Sequence, residues 1–508
     1  MKRVKSKIVN FILASLILIG LMACSKDSST EELIIDPEVT YNLSTSTEKI
    51  ELSKEESSYE VSITTNVDTW VISSSGTNWI TLSQTSGSSG TSGVTITALE
   101  NTDIAERTTT ITVNANDVTP IKIALTQAGI VIPAGELYPS YNTSPIPADA
   151  AGMSSTAAEI AAKINLGWNI GNSLEATGGE TAWGNPKVTK ALIDVVKQGG
   201  FNAIRIPASW NQYLINPATA QIKTEWLARV KEVIQYCVDN DMYVLVNIHW
   251  DGGWLENNVT EAKQIENNAK QKAFWEQLAT QFRDFDEHLL FASANEPNVE
   301  DAAQMAVLKS YHQTFIDAVR ATGGKNAYRT LVVQGPSTDI EKTNSLMTTL
   351  PTDTANDRMM VEVHYYTPWQ FSGMEADESW GKMAYYWGAD YHSTTDTTRN
   401  ATWGEEDALD AFFLLMKNQF VNQGIPVILG EFGAIRRTTL TGDNLSLHLN
   451  SRAYYLKYVV KRAKANGILP FYWDEGNIGN GGFGIFNRTN NTVFDTQALT
   501  ALQEGLNS

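Results

Sequence analysis

The stretch Leu289-Leu290-Phe291-Ala292-Ser293-Ala294-Asn295-Glu296-Pro297 begins as a buried strand and ends on an amide, a carboxylate and a proline. A continuously apolar run is typical of a strand in a parallel sheet that is covered on both faces. Pro297 lacks a backbone donor and restricts Glu296 to extended conformations, which helps to end the strand with that side chain held in place. The stretch predicts a covered parallel sheet with a carboxylate at one strand end.

Seven further runs between residues 151 and 508 are continuously apolar in the same way. The eight runs span 164–170, 201–207, 242–249, 289–295, 330–334, 359–364, 426–430 and 469–473. Amphipathic helical patterns lie between them, at 188–197, 225–238, 271–283, 305–320, 408–421 and 454–465. Eight strand–helix repeats predict a (β/α)8 barrel, also called a TIM barrel. A doubly wound open sheet is the alternative, but no Gly-x-Gly-x-x-Gly motif follows an early strand.

Four segments precede the predicted barrel. Residues 1–23 combine a positive head with an apolar run, which indicates a signal peptide. Residues 24–40 are polar and acidic and are interpreted as a tether. Residues 41–128 alternate short β patterns with Ser/Gly-rich turns, which predicts a small all-β immunoglobulin-like sandwich. Residues 129–150 contain four prolines and are interpreted as a stiff linker.

The end of the signal peptide, Leu21-Met22-Ala23-Cys24, resembles a bacterial lipobox. The resemblance implies lipidation of Cys24 and a lipid anchor in the outer membrane. Ser25-Lys26-Asp27 resembles the surface-export signal of Bacteroidetes lipoproteins, which implies a cell-surface location facing outward. Plain secretion with an incidental cysteine is the alternative. If Cys24 carries lipid, Cys237 has no disulfide partner, and its helical context predicts a buried apolar role.

Composition excludes several classes of partner. The formal charge is 38 − 57 = −19, and the acidic chain has no basic tract, so nucleic acid is not an expected partner. A metal-dependent barrel hydrolase would require a His-x-His pair on the first strand, but no histidine precedes His249. We therefore expect no metal and no cofactor. We also expect a monomer.

Polar and aromatic residues end nearly every predicted strand, where the chemistry of such barrels is located. They are Asn169, Asn172, Arg205, His249, Asn295, Glu296, Gln334, His364, Tyr366, Glu431, Trp473 and Asp474. Glu296 follows the fourth strand and Glu431 the seventh, on roughly opposite sides of the barrel, so the two carboxylates can meet across its mouth. Such a pair suits glycoside hydrolysis. Two like charges so close predict a raised pKa for one of them.

The ordered motifs resemble those of glycoside hydrolase family 5. They are Arg205-Ile206-Pro207, Ile248-His249, Asn295-Glu296-Pro297, His364-Tyr365-Tyr366, Gly430-Glu431-Phe432-Gly433 and Trp473-Asp474. The segments 167–172 and 180–186 resemble subfamily 4, which holds endo-β-1,4-glucanases and xyloglucanases. Asn78-Trp79-Ile80 and Leu125-Thr126-Gln127-Ala128 resemble the BACON module of Bacteroidetes surface proteins. For this module, a spacer is favoured over a glycan binder, with Trp79 expected in its core.

The resemblance implies a retaining hydrolase of plant cell-wall β-glucan, with Glu431 as nucleophile and Glu296 as acid/base. It further implies that Asn295 contacts the 2-hydroxyl of the bound sugar and that Trp473 stacks beneath it. The residues implied to orient Glu431 or to complete the polar floor are Arg205, Tyr366, His249 and His364. Trp250 departs from the family pattern, since many relatives carry a second histidine there.

Aromatic residues near the strand ends predict an extended groove, because indole rings bury the flat C–H faces of pyranose rings. Substrate contacts are expected from Asn172, Trp250, Trp254 and Trp369, and groove positions also from Trp183, Trp210, Trp380, Trp387 and Trp403. The long loop 368–403 is expected to wall the groove with Tyr385-Tyr386-Trp387 and to contact branches.

The architecture favours xyloglucan as the substrate, while cellulose, mixed-linkage glucan and mannan remain alternatives with the same mechanism. The non-enzyme alternative is a surface glycan-binding protein, which would keep the aromatic residues and lose a carboxylate. Both Glu296 and Glu431 are present.

Overall fold

The computed structural model describes residues 40–508. The predicted signal peptide, Cys24 and residues 25–39 of the predicted tether lie outside the described residues. Within residues 40–508, no helix has both the length and the apolar character needed to span a bilayer.

An all-β module comes first, as the sequence predicts. Its seven strands are β1 (Leu43–Thr45), β2 (Lys49–Leu52), β3 (Ser57–Ser74), β4 (Ile80–Leu82), β5 (Ser86–Ala98), β6 (Arg107–Ala115) and β7 (Ile121–Gln127). The long strand β3 pairs with β1, β5 and β6, and its register with β5 shifts between Thr65 and Thr69. Alternate residues of these strands enclose a core that includes the buried Trp70. Trp79 is half-buried and packs against the edge of this core, beneath Arg107, whose guanidinium lies 4.3 Å from the ring centroid. The sequence predicts Trp79 within the core, but it covers the core from its edge.

Eight parallel strands then close into a barrel, and the predicted (β/α)8 fold is confirmed. In order around the barrel they are β9 (Gly167–Asn169), β10 (Ala203–Ile206), β13 (Tyr243–Asn247), β14 (Leu289–Ala292), β16 (Leu331–Gln334), β17 (Met359–Tyr365), β18 (Val427–Phe432) and β19 (Ile468–Tyr472). Short strands lie outside the barrel wall: β8 (Ile146–Ala148), β11 (Leu214–Asn216), β12 (Gln221–Ile222), β15 (Gly323–Gly324), β20 (Phe486–Asn487) and β21 (Thr492–Val493).

Helices surround the barrel. They are α1 (Ala157–Lys163), α2 (Lys190–Gln198), α3 (Thr224–Val238), α4 (Glu261–Gln281), α5 (Ala302–Ala321), α6 (Ile340–Leu346), α7 (Trp369–Ser372), α8 (Glu406–Gln419), α9 (Gly442–Ala465) and α10 (Thr496–Leu506). Most of them cover its outside, whereas α1 packs against the core inside it. Helices α4 and α9 begin about ten residues before the predicted patterns, because their first turns are largely polar and carry a weak apolar signal. The predicted burial of Cys237 in α3 is confirmed.

Side chains alternate between the two sides of each barrel strand, as the pleat requires. In β17, Val361 and Val363 join the apolar layer beneath the helices, while Met360 joins the core inside the barrel. Ile160 of α1 packs into that inner core, opposite the barrel mouth. The same alternation directs Glu362 and His364 inward, so polar side chains occupy the layer above the apolar one.

The second half of the predicted linker is bound to the barrel. The backbone N–H of Tyr141 donates to Glu276 of α4 over 2.6 Å, and the Tyr141 hydroxyl donates to the Thr219 carbonyl over 2.7 Å. Strand β8 pairs in parallel with β15. These contacts, together with Tyr138 packed against the barrel core, fix residues 138–148 on the barrel wall.

Candidate active site

Two carboxylates face each other at the mouth of the barrel. Glu296 follows β14 and Glu431 lies in β18, and one oxygen of each lies within 4.8 Å of the other and of a ring nitrogen of His364. Glu431 is buried, whereas 44% of the Glu296 side chain remains exposed to the cleft. The structure thus brings together the pair that the strand ends predict, with the more exposed member able to reach a ligand and solvent.

Glu431 is held at both oxygens. Arg205 Nη1 donates to Oε1 over 2.8 Å, and the Tyr366 hydroxyl donates to Oε2 over 3.0 Å. Burial and the neighbouring Glu431 charge raise the pKa of Tyr366 well above its usual value, so it stays a donor. Burial lowers the pKa of Arg205, but the charges of Glu362 and Glu431 outweigh it and keep the guanidinium positive.

Glu296 is paired with a histidine. His364 Nδ1 lies 2.6 Å from Glu296 Oε1. Burial opposes the imidazolium, but Glu431, Glu296 and Glu362 raise the pKa of His364 to about 10. Burial also opposes the Glu296 carboxylate, but the hydrogen bond and charge of His364, with that of Arg205, bring its pKa below the usual value.

The predicted raised pKa therefore does not apply to Glu296 in this structure. Repulsion between the two carboxylates alone would raise the pKa of one of them. His364 supplies a positive charge at hydrogen-bonding distance, and that attraction exceeds the repulsion. At neutral pH the proton of this pair therefore resides on His364, which is hydrogen-bonded to Glu296 Oε1.

The other predicted floor residues lie around this pair. Asn295 Oδ1 accepts from Arg205 Nη2 over 2.7 Å. The His249 and Trp473 rings are nearly parallel, at 8°, with centroids 6.0 Å apart. Burial and the positive Arg205 and His364 lower the pKa of His249 well below its usual value, so it is neutral. Asn172 has a left-handed backbone (φ 55°) in the turn after β9, where its backbone N–H donates to Glu175.

Glu362 is a site residue that the sequence reading missed. Its side chain is fully buried, with Oε1 2.8 Å from Arg205 Nε and 3.2 Å from His364 Nε2. Gln334 Nε2 donates to Oε2 over 2.6 Å. A Cβ at Gly430 would lie 2.0 Å from Oε1, so only glycine leaves room for this carboxylate. A lone charge within the apolar run Met359-Met360-Val361-Glu362-Val363 was the available signal, since a buried charge requires a partner.

Glu256 is a second missed residue. It lies in the loop after β13, and its Oε1 accepts the backbone N–H of Glu296 over 2.7 Å. Burial, with the nearby charge of Glu296, raises the pKa of Glu256 to about 7. No local sequence feature marks this position, because the contact depends on how the loop folds over the barrel.

The predicted groove aromatics divide into two sets. Trp183, Trp250, Trp369, Trp380 and Trp403 are exposed, and Trp254 and Trp473 are half-buried. Trp210 and Trp387 are fully buried, which corrects their predicted place in the groove. Trp210 donates to the Asn247 carbonyl, and Trp387 donates to the Gly404 carbonyl and packs on Tyr454 and Tyr455.

Glu296, His364 and Glu431 are also the one group of at least three potential metal ligands identified within residues 40–508. Arg205 Nη1 lies 2.8 Å from Glu431, and a fixed positive charge at that distance opposes a cation. The arrangement suits acid–base and nucleophilic chemistry better than metal binding.

A separate cavity of about 330 Å³ lies at the opposite end of the barrel, lined by α1, α10 and the start of β19. It is remote from the paired carboxylates, so the chemistry belongs to the mouth and not to this cavity.

Residues 169–479 match the family model described as Cellulase (glycosyl hydrolase family 5), and residues 68–128 match BACON, a putative N-terminal binding domain. The chain belongs to glycoside hydrolase family 5 and is a glycoside hydrolase with a BACON module before its barrel.

Individual relatives extend the comparison. The chain is 36% identical over 459 residues to the xyloglucan-specific endo-β-1,4-glucanase of Bacteroides ovatus, covering 86% of each chain. The solved structure of a B. ovatus family 5 xyloglucanase with an XXXG heptasaccharide aligns with a TM-score of 0.67 and 34% identity, over 92% of this chain and 100% of that one. A GH5-4 broad-specificity endoglucanase from Bacteroides salanitronis aligns with a TM-score of 0.63 and 34% identity, over 70% and 96%.

Proposed function

We propose that the chain is a retaining endo-β-1,4-glucanase, with Glu431 as nucleophile and Glu296 as acid/base. The observation that carries the proposal is the approach of the two carboxylates to within 4.8 Å. Retaining glycosidases hold their carboxyl groups about 5–5.5 Å apart, whereas inverting enzymes separate them by about 6.5–9.5 Å to admit a water.

In the first step, Glu431 attacks the anomeric carbon and the glycosidic C–O bond breaks. The proton held on His364 passes through Glu296 to the leaving oxygen. The exposed part of the Glu296 side chain makes it the member of this pair that can reach that oxygen. Arg205 and Tyr366 keep both oxygens of Glu431 aligned, so the nucleophile loses little orientation freedom on reaction.

In the second step, Glu296 removes a proton from water, and the water attacks the glycosyl–enzyme bond and releases Glu431. The configuration at the anomeric carbon is restored by two inversions. His364 supplies the proton to Glu296 in the first step. In the second step it takes back the proton that Glu296 has removed from water. Trp473 provides the stacking face for the sugar, and the Asn295 amide nitrogen is the donor for its 2-hydroxyl.

Xyloglucan is the proposed preferred substrate. The relative named for xyloglucan matches the barrel and the region before it, over 86% of both chains. Cellulose and mixed-linkage glucan are the alternative substrates. The likeness to a broad-specificity endoglucanase from B. salanitronis supports this alternative. For the BACON module, the apolar core enclosed by its strands supports a spacer role. The module contacts the barrel where Asn216 Nδ2 donates to the Thr102 carbonyl over 3.3 Å.

We also propose that the protein is a monomeric lipoprotein, anchored through Cys24 to the outer membrane and facing outward. The lipobox-like sequence supports the anchor. Protease treatment of intact cells tests the location, since an inward-facing protein would be protected from digestion.

Glu431→Gln tests the catalytic assignment. The substitution keeps the size of the side chain and removes the nucleophile, so hydrolysis of soluble β-glucan is expected to fall by at least about 10³-fold. The activity of the wild-type enzyme should then be compared on xyloglucan, cellulose, mixed-linkage glucan and mannan. Sizing of the products distinguishes internal cleavage from release of monosaccharide.

Three outcomes would contradict the proposal. Undiminished hydrolysis by Glu431→Gln would remove its assigned role. A product that first appears with inverted anomeric configuration would exclude the retaining mechanism. Binding of glucan by the wild-type protein without any hydrolysis would favour the glycan-binding alternative.

A further inference from the structure

A buried carboxyl group contacts the backbone beneath the exposed carboxylate at the barrel mouth. Glu256 lies in a short 3-10 turn, Glu256–Asn258, within the loop that follows β13. Its side chain is buried, and its Oε1 accepts the backbone N–H of Glu296 over 2.7 Å. Glu256 takes no part in either chemical step described above, so its contact with the acid/base residue requires another explanation.

The turn and the segment after β14 are joined at three points. Besides the contact between Glu256 and Glu296, the Glu256 carbonyl accepts the backbone N–H of Asn298 over 3.0 Å. The Asn298 side chain donates to Asn257 Oδ1 over 2.7 Å. Pro297 has no backbone N–H of its own, so these contacts lie on either side of it. The turn therefore holds the backbone of residues 296–298 on both sides of the proline.

The turn itself is fixed to the outer helices of the barrel. The Asn258 carbonyl accepts from the Tyr311 hydroxyl of α5 over 2.9 Å and from Asn267 Nδ2 of α4 over 3.2 Å. The Asn258 side chain donates to the carbonyls of residues 253 and 254, each over 3.1 Å. Helices α4 and α5 thus anchor the turn that carries Glu256, which makes the turn a firm support.

The two paired carboxylates differ in how their side chains are held. Glu431 receives a hydrogen bond at each oxygen, whereas the Glu296 carboxylate has one hydrogen-bond partner among residues 40–508, His364. The Glu296 side chain is also the more exposed of the two. Its direction therefore depends on its own backbone more than that of Glu431 does. A displacement of about 1 Å in such a site lowers the rate about a hundredfold.

We propose that Glu256 is a positioning residue, which fixes the backbone of Glu296 so that the Glu296 carboxyl meets the leaving oxygen. The inference rests on the proposed function and adds a residue to its first step. Glu256 acts through its acceptor oxygen, which is present whether the carboxyl is charged or neutral. Burial, with the charge of Glu296, raises the pKa of Glu256 to about 7, so the group is partly neutral at that pH and adds less repulsion beside Glu296.

The test compares two substrates that differ in their need for an acid. In a β-1,4-gluco-oligosaccharide the leaving group is a sugar hydroxyl, which must be protonated as it departs. In a dinitrophenyl β-cello-oligosaccharide the leaving group is a stable phenolate, which needs no proton. Glu256→Met keeps the length of the side chain and removes the acceptor. We expect it to lower kcat/KM for the gluco-oligosaccharide about 30-fold and to leave that for the aryl glycoside within about threefold.

Two further variants serve as controls. Glu256→Gln is the rescue variant, because its amide oxygen accepts the same N–H, and we expect its kcat/KM within about threefold of wild type on both substrates. Asn257→Ala is the matched control, since it removes the neighbouring contact to Asn298 and leaves the contact to Glu296 in place. Its ratio of the two kcat/KM values should equal that of wild type. Glu256→Ala replaces Glu256→Met if thermal unfolding shows that the methionine variant does not fold.

Equal losses on the two substrates would show that Glu256 only shapes the groove, and no loss on either would show that its contact is dispensable. Both results would overturn the inference. So would a Glu256→Gln variant as impaired as Glu256→Met, because the acceptor would then not be the cause. Failure of the proposed function gives a different pattern, in Glu296→Ala. If that variant hydrolyses the gluco-oligosaccharide as fast as wild type, Glu296 is not the acid, whatever the Glu256 variants do.

Discussion

At the residue scale, Glu362 connects the two halves of the proposed catalytic machinery. Its carboxylate lies beside Arg205, which holds Glu431, and beside His364, which holds Glu296. Burial disfavours its charge, but Arg205 and His364 outweigh that cost and keep the pKa of Glu362 below its usual value. The two cationic neighbours offset the desolvation cost of this fully buried anion. We infer that Glu362 positions both groups without touching substrate.

Glu362→Gln is expected to lower kcat/KM about tenfold and to move the basic limb of its pH profile to lower pH. Three carboxylates raise the pKa of His364 to about 10, so removing one charge lowers it toward 6.5. The proton that His364 supplies to Glu296 is then lost at lower pH. Glu180→Gln is the control, because Glu180 is buried against Arg229 outside the active site. An unshifted basic limb would contradict the role of Glu362.

At the scale of elements, the loop after β13 is organised by one carboxylate. Asp251 accepts hydrogen bonds from the backbone N–H groups of Trp210 and Asn211 and from the Trp254 indole, over 2.9–3.0 Å. Lys270 of α4 lies 4.7 Å from the centroid of the Trp254 ring. Burial raises the pKa of Asp251 to about 7. This single side chain joins the ends of β10 and β13 and sets the position of Trp254, which is expected to contact substrate.

Asp251→Ala is expected to raise KM for glucan several-fold and to lower the free energy of unfolding by about 3 kcal/mol or more. The substitution leaves buried donors without an acceptor, at about 1–3 kcal/mol each. It also places alanine at φ 50°, which favours small polar residues. Asp251→Asn keeps an acceptor and tolerates that backbone, so it should lose less. Urea denaturation and steady-state kinetics measure the two effects, and equal losses for both variants would contradict this account.

At the scale of the whole molecule, the module and the barrel have separate cores. Trp70 belongs to the module core, whereas the barrel core runs from Leu166 to Leu502. The segment around Tyr141 is fastened to α4 through Glu276, which carries three contacts from residues 140–142. The end of the predicted linker therefore packs on the barrel, and because the two cores are separate we expect the module to unfold without opening the barrel.

Trp70→Ala is expected to destabilise the β-module by about 3–5 kcal/mol and to leave glucan hydrolysis unchanged. The substitution creates a cavity in a small core that has few other large side chains. Differential scanning calorimetry should show one transition moving to lower temperature while the barrel transition stays fixed. Tyr59→Ala on the module surface serves as the control. A parallel loss of kcat would show that the two cores are coupled.

The sequence by itself predicted the barrel and the pair of carboxylates that face each other at its mouth. Continuous apolar runs are typical of strands covered on both faces, and eight of them alternating with helices fit one closed barrel in number and length. Polar residues at the ends of such runs must lie at the mouth, because the strands are parallel. Glu296 and Glu431 can therefore be placed at the mouth from local pattern and topology alone.

The tertiary structure decided what surrounds that pair. The pKa of Glu296 depends on His364, and the charge of His364 depends on Glu431 and Glu362, which are distant in sequence from Glu296. The burial of the loop tryptophans also could not be predicted from the sequence. Trp387 is buried and Trp380 is exposed, although both follow the same strand. Electrostatic shifts and loop burial arise from contacts between residues far apart in the chain, and such contacts exist only once the chain has folded.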